Sequence, residues 1–257
     1  MLGQIADKNA FLSELSLAEY GALRSHMAPP FELRVGQRLH SLGDPVEDVV
    51  FPNSGLIAMT LPLRDNPGAA AALIGRDGIV GAVAALANAP AASDAVVHIS
   101  GQASRLSAAA FRHVLDENPS IRWRVARYAY ALVAQLQQTA LCHAAHSVES
   151  RICRWLLAIQ GRCAHDRVPL TQSTLAQMLG VRRTTVTLVA GRLEAAGVLK
   201  CHRGYMQIVN QDELERRSCE CHAHFNGYIN KLSAGSAEAA PVPDYPARAA
   251  PTGLRVI

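Results

Sequence analysis

The sequence predicts an α+β chain in three consecutive parts, on three observations. Between residues 31 and 99 short apolar stretches alternate with Gly, Pro and Asn turns, the spacing of an antiparallel β-barrel or sandwich. Pro119 then opens a stretch to about His143 with no internal Gly or Pro, which reads as one long helix. Residues 169–209 hold two short helical periods meeting at Gly180, followed by a hairpin pattern. The 257 residues, 49% hydrophobic and 18% charged, suit about two domains and exclude collagen, rod and wholly disordered chains.

Taken in order, residues 9–28 read as one amphipathic helix, with Phe11, Leu12, Leu15, Leu17, Tyr20 and Leu23 apolar and Pro29-Pro30 ending it. Strands are expected at residues 31–35, 49–51, 56–63, 70–74 and 96–99. Turns fall at Gly36, Gly43-Asp44-Pro45, Pro52-Asn53-Ser54-Gly55, Asn66-Pro67-Gly68 and Arg76-Asp77-Gly78. Residues 80–88 are alanine-rich enough for a short inserted helix. In the long helix Ile121, Val125, Tyr128, Leu132, Gln135, Thr139 and Cys142 recur at alternating spacings of four and three, the seam of a two-stranded coiled coil. The alternative is a helix packed on its own barrel, which the polar Gln135 and Thr139 in the seam keep open. A second helix is expected at residues 148–162, with Ser147 as N-cap, Ile152, Trp155, Leu156 and Ile159 on its buried face, and Arg151 and Arg154 elsewhere. Beyond Ser233 the Ala, Pro and Gly-rich composition predicts a disordered tail.

Charge is uneven. Residues 1–143 carry 11 Lys and Arg against 12 Asp and Glu, whereas residues 144–232 carry 12 against 7. Between Arg151 and Arg203 nine basic residues (151, 154, 162, 167, 182, 183, 192, 200, 203) face only Asp166 and Glu194, a concentration that suits a polyanionic partner. The longest apolar runs, such as residues 78–87, fall short of the roughly 20 residues a membrane span needs. With six cysteines, all from Cys142 onward, and no export signal, reduced thiols in a cytoplasmic protein are expected.

The chemistry concentrates at residues 169–199. Thr171 can cap a first helix whose inner face is Leu175, Ala176 and Leu179. Gly180 makes the tight turn and Val181 fills the gap between helices. The second helix begins at Arg182 or Arg183, buries Val186, Val189, Ala190 and Leu193, and turns Arg182, Arg183, Thr184, Thr185 and Thr187 outward. This is a helix-turn-helix. Guanidinium groups at such a helix start can pair bidentately with guanine, and threonines can touch base edges or phosphates. Three threonines in four residues are poor helix formers, which an unpartnered surface helix has little reason to carry. Residues 198–201 and 205–209 around His202-Arg203-Gly204 form a wing, with Arg203 near its tip to meet phosphate.

At this point the chain resembles the Crp/Fnr family of bacterial transcription regulators over roughly residues 10–225. The likeness is carried by Ser147-Val148-Glu149-Ser150-Arg151, Arg154-Trp155-Leu156-Leu157, Leu170-Thr171-Gln172 through Leu193-Glu194, and Gly197-Val198-Leu199. Val50-Phe51-Pro52-Asn53-Ser54-Gly55 and the stretch from Ile74 to Gly81 look like the turns of that family's β-roll. The resemblance implies a β-roll of the double-stranded β-helix type at residues 1–117, a dimerisation helix at 118–145 and a winged helix-turn-helix at 146–232. It further implies a homodimer on a palindromic operator in double-stranded DNA, no enzymatic activity, and RNA polymerase as a partner. DNA contacts are expected from Thr171, Gln172, Arg182, Arg183, Thr184, Thr185, Thr187 and Arg203.

Departures from the family bear on the effector. Members that bind cyclic AMP hold the ribose with a Glu just after a cassette glycine and the phosphate with an Arg further on. Here Gly81 is followed by Ala82 and Val83, and Ala91-Ala92-Ser93-Asp94-Ala95 supplies no Arg. Asp94 would repel a cyclic phosphate. The expectation is a degenerate pocket near Gly75, Arg76, Gly78 and Gly81 and no cofactor. An N-terminal iron–sulfur site is excluded by the lack of cysteines before Cys142. In Cys219, Cys221, His222 and His224, treated as one helix, Cys219 shares a face with His222 and Cys221 with His224, so four ligands do not converge and no metal is expected. Cys142, His143 and His146 lack an acidic orienter for a thiol–imidazole hydrolase. The rival reading is a β-roll ligand-binding or scaffold protein whose winged helix makes protein contacts.

Overall fold

The computed structural model describes residues 8–62, 68–163 and 167–233; the turn at Asn66-Pro67 and the tail beyond Ser233 lie outside them. Two helices open the chain, α1 (Ala10–Ser13) and α2 (Leu17–Arg24). The single helix expected there breaks because Ser16 and Glu19 form a capping box that starts α2 afresh. Pro29 and Pro30 lie inside the first strand, β1 (Ala28–Leu33), at the edge of its sheet, where a missing N–H costs no ladder bond.

The roll is built from β1, β2 (Arg38–His40), β3 (Asp48–Pro52), β4 (Leu56–Thr60), β5 (Ala70–Ile74), β6 (Asp94–Ile99) and β7 (Gly101–Ser107), with α3 (Ala82–Ala87) inserted after β5. One antiparallel sheet has the order β1-β7-β3 and the other β2-β6-β4-β5. β2 and β7 were not among the strands expected. Leu33, Val50, Ile57, Ile74, Val97 and Ala103 fill the space between the sheets. Gly55 permits the turn into β4: its φ is 86°, and a Cβ there would meet the Ile99 carbonyl at 2.7 Å.

From the roll the chain passes through α4 (Ala108–Glu117) into α5 (Pro119–Ala145), with Pro119 at the helix start as expected. Ile121 and Val125 pack with Phe51, Ile79, Phe111 and Leu115 of the same chain. The Tyr128 hydroxyl donates to the Ile79 carbonyl at 2.8 Å, and Gln135 Oε1 accepts from the Leu73 amide at 3.2 Å. The seven-residue seam read from the sequence is therefore not a partner-facing seam in this chain. From Ile121 to Gln135 it is the face by which α5 lies on its own roll, and at Cys142 it packs against Cys219 and Cys221.

The C-terminal part comprises α6 (Val148–Cys163), β8 (Arg167–Val168), α7 (Gln172–Leu179), α8 (Arg183–Ala195), β9 (Leu199–His202), β10 (Tyr205–Ile208), α9 (Gln211–Arg217) and α10 (Cys221–Ser233). The small sheet runs β8-β10-β9. Its core is continuous with the outer side of the roll, since Leu56, Ala58, Ala70, Leu73 and Ile99 cluster with Trp155, Leu156, Leu175 and Leu179. No helix among the described residues is long and apolar enough to cross a membrane.

Candidate nucleic-acid interface

Two short helices are held at a fixed angle by local chemistry. Thr171 Oγ1 accepts from the Thr174 amide at 3.1 Å and caps α7. Leu175, Ala176, Met178 and Leu179 are buried beneath it. Gly180 ends α7 in the left-handed region at φ 64°, with its amide bonded to the Gln177 carbonyl. α8 then starts at Arg183 and buries Val186, Val189, Ala190 and Leu193.

The opposite face of α8 presents Arg182, Arg183, Thr184, Thr187 and Leu188, all exposed, with Thr185 half-buried. Thr187 Oγ1 donates to Gln172 Oε1 at 2.7 Å, so α7 and α8 fix each other's outer side chains. Behind α8, β9 and β10 pair in register from Leu199 opposite Ile208 to His202 opposite Tyr205, and Gly204 makes the tip at φ 91°. His202 and Tyr205 stack at 4.4 Å, and the Arg167 guanidinium sits 5.6 Å from the Tyr205 ring. Arg203 is exposed beside Gly204.

Residues 150–217 match the family model of a Crp-like helix-turn-helix domain. Among solved structures the fold is similar to FixK2 from Bradyrhizobium japonicum, with a TM-score of 0.65, 16% identity, and coverage of 75% of this chain and 98% of that one. It is also similar to the c-di-GMP-responsive global regulator CLP of Xanthomonas campestris (TM-score 0.64, 14% identity, 76% and 100% covered). A third similar structure is a CRP/FNR-family transcriptional regulator from Thermus thermophilus, TTHA1359 (TM-score 0.61, 18% identity, 74% and 97% covered). No curated protein matches the sequence. The Crp/Fnr-type fold thus extends over the roll, the long helix and the Crp-like domain together.

The charge of the Crp-like domain divides by burial. Arg167, Arg182, Arg183, Arg192, Lys200 and Arg203 are exposed, and among the described residues none of them forms an ion pair. Arg151 and Arg154, expected away from the buried face of α6, are each only 7% exposed. Arg162 is drawn inward by Asp77 at 2.8 Å. These three guanidiniums belong to the interior because α6 is covered on several sides, by the roll, α7, α8, α9 and α10. A helix surrounded in this way has no free polar face.

Of the residues expected near an effector, Arg76 and Gly78 line a cleft of about 820 Å³ together with Arg124, Tyr128, Gln135 and Arg162. Gly75 and Gly81 are packed instead: a Cβ at Gly75 would meet the Arg162 side chain at 3.0 Å, and one at Gly81 the Asp48 carbonyl at 2.9 Å. Burial raises the Tyr128 hydroxyl well above its ordinary range and keeps it a neutral donor on this wall. Asp94 is 4% exposed, accepts from the Leu42 amide at 2.8 Å, and pairs with Arg38 at 3.3 Å.

The C-terminal cysteines and histidines separate in a way the one-helix reading missed. α10 begins only at Cys221, leaving Cys219 in the preceding turn. Cys219 and Cys221 gather with Cys142 and His146, whereas His222 contacts Asn226. Burial, followed by Arg151 and Arg154, pushes His143 down to about 4. The thiol–imidazole grouping of Cys142 and His146 does acquire an acid that sequence spacing hid, Glu220, 3.3 Å from His146 Nε2.

Proposed function

We propose that this protein is a sequence-specific DNA-binding transcription regulator that acts as a homodimer through α5 and reads the major groove with the start of α8. The observation that carries the reading is the exposed set Arg182, Arg183, Thr184 and Thr187 on the second helix of a Crp-like helix-turn-helix, free of acidic partners among the described residues. Arg203 and Arg167 on the wing supply phosphate contacts, and Thr171 and Gln172 brace α7 against the backbone. Two such helices about 34 Å apart are needed for a two-fold operator.

Dimerisation is supported by the outward face of α5. Trp123, Ala126, Tyr130, Val133, Gln137, Ala140 and Ala144 repeat at alternating steps of three and four. Trp123 is 67%, Tyr130 61% and Val133 45% exposed. An apolar heptad stripe of this kind is stable in water when a second helix covers it. The effector pocket is proposed to reject cyclic AMP. Ala82 stands at the ribose position, and the Asp94 carboxylate is already bonded where the resemblance puts the phosphate.

The test is electrophoretic mobility shift with selected genomic fragments at two salt concentrations. Specific, salt-sensitive shifts are expected. Arg183→Ala should lose roughly 1 to 3 kcal/mol and discrimination at one guanine of each half-site, whereas Arg203→Ala should weaken all sequences alike and lower the salt slope by about 1. Absence of any competitor-resistant shift would overturn the reading in favour of a scaffold.

A further inference from the structure

Where the end of α5 meets the turn before α10, four ligand-type side chains converge from segments far apart in sequence. Cys142 lies in the last turn of α5, His146 in the link to α6, Cys219 in the α9–α10 turn and Cys221 at the start of α10. Their Sγ and ring nitrogen atoms all lie within 4.8 Å of one another. Cys142 Sγ is 3.6 Å from Cys219 Sγ, and Cys221 Sγ is 3.5 Å from His146 Nδ1. Zinc–sulfur and zinc–nitrogen bonds of about 2.3 and 2.0 to 2.1 Å at tetrahedral angles require ligand separations of about 3.8 Å for two sulfurs and about 3.6 Å for sulfur and nitrogen. The two shortest separations match a single ion, and a cluster within 4.8 Å leaves no room for an iron–sulfur core between the sulfurs.

Two further observations point the same way. Glu220 lies 3.3 Å from His146 Nε2, where its carboxylate can accept the ring N–H and leave the Nδ1 lone pair to an ion held with the sulfurs, as metal-ligating histidines are commonly held. Nearby, Arg151 and Arg154 are buried with unpartnered Nε atoms and form no ion pair with a carboxylate among the described residues. Arg151 is within electrostatic reach of Cys142 and Cys219, and Arg154 of Cys142. Buried guanidiniums beside neutral thiols are costly. Three thiolates and one imidazole around a divalent ion carry a net charge of −1, which these arginines would offset. A Cys–His–Glu hydrolytic relay is the weaker use of the same atoms, because Cys142 is fully buried and Cys221 1% exposed, leaving no approach for a substrate.

We propose that Cys142, His146, Cys219 and Cys221 form a structural zinc site that clamps the C-terminal end of α5, the link into the Crp-like domain and the start of α10 together. Binding would release the thiol protons and replace Cys–Cys and Cys–His contacts by four bonds to the ion, with no change in oxidation state. The clamp sets the angle at which the Crp-like domain leaves the long helix. The metal-binding claim itself stands whether or not the protein binds DNA.

The full chain, purified under reducing conditions without chelator, should carry one zinc per chain by elemental mass spectrometry. Cobalt(II) added to the chelator-stripped chain should give the intense visible bands and thiolate charge transfer of a tetrahedral three-sulfur, one-nitrogen centre. Cys142→Ser, Cys221→Ser and His146→Ala should each lose the ion, Cys201→Ser should keep it, and Glu220→Gln should hold it 10- to 100-fold more weakly. Since a ligand variant can lose metal by misfolding, the wild-type chain supplies an independent reading: zinc should protect three thiols from an aromatic disulfide reagent, and chelation should expose them. Zinc retained in all three ligand variants would overturn the proposal. So would a wild-type chain that takes up neither zinc nor cobalt and instead oxidises to a Cys142–Cys219 disulfide.

Discussion

The two faces of α5 carry nearly the same spacing and opposite fates. On one, Ile121, Val125, Thr139 and Cys142 are buried within the chain, with Tyr128 and Gln135 bonded to the roll. On the other, Trp123, Tyr130, Val133 and Leu141 are largely open to water. A period of three and four says only that a stripe runs along a helix. The identity of the polar residues tells which stripe meets what. Gln135 sits where a roll-strand amide needs an acceptor, and a hydrophobic partner helix would have left it unsatisfied. The outer stripe instead carries aromatic and small residues that a like helix can interleave.

The comparison is broken most severely from the inner side. Val125→Asp places an uncompensated carboxylate among Phe51, Ile79 and Phe111. The expected loss is about 3 to 5 kcal/mol, seen as a collapse of the thermal transition. A variant melting like the wild type would place the inner stripe in solvent. From the outer side, Tyr130→Glu with Val133→Glu should leave secondary structure intact by circular dichroism and turn a two-chain mass in light scattering into a one-chain mass at micromolar concentration. An unchanged two-chain mass would move the proposed interface off α5.

Much of the Crp-like domain was legible because its signals are local. The Thr171 cap, the left-handed Gly180 and the burial of Val186, Val189, Ala190 and Leu193 follow from residues within one turn of each other. The roll was half legible. β7 was missed because Gln102, Ser104 and Arg105 give it little apolar character, and its place between β1 and β3 comes from long-range pairing. The break between the first two helices is hard to read because the Ser16–Glu19 capping box lies inside an apolar run. Least legible was the Cys142, His146, Cys219 and Cys221 cluster, whose members are separated by up to 79 positions. Treating residues 219–224 as one helix concealed it, since only the turn before Cys221 lets both sulfurs aim the same way.

The smallest effect is the most discriminating between the two faces. Gln135→Leu keeps the helical preference of the side chain, one atom shorter, but removes the acceptor from the Leu73 amide, a strand group that faces α5 rather than solvent. An orphaned amide of this kind costs about 1 to 3 kcal/mol, and the loss should appear as faster hydrogen exchange at Leu73 with the mass of the assembly unchanged. Gln137→Leu, two positions on and exposed on the outer stripe, orphans no described backbone group and adds apolar surface where a second helix is proposed to lie. It should leave exchange at Leu73 as it was and strengthen association, read as a lower dissociation constant on dilution. Reversal of the two outcomes would mean that Gln135 faces the partner and that the inner and outer stripes of α5 had been exchanged.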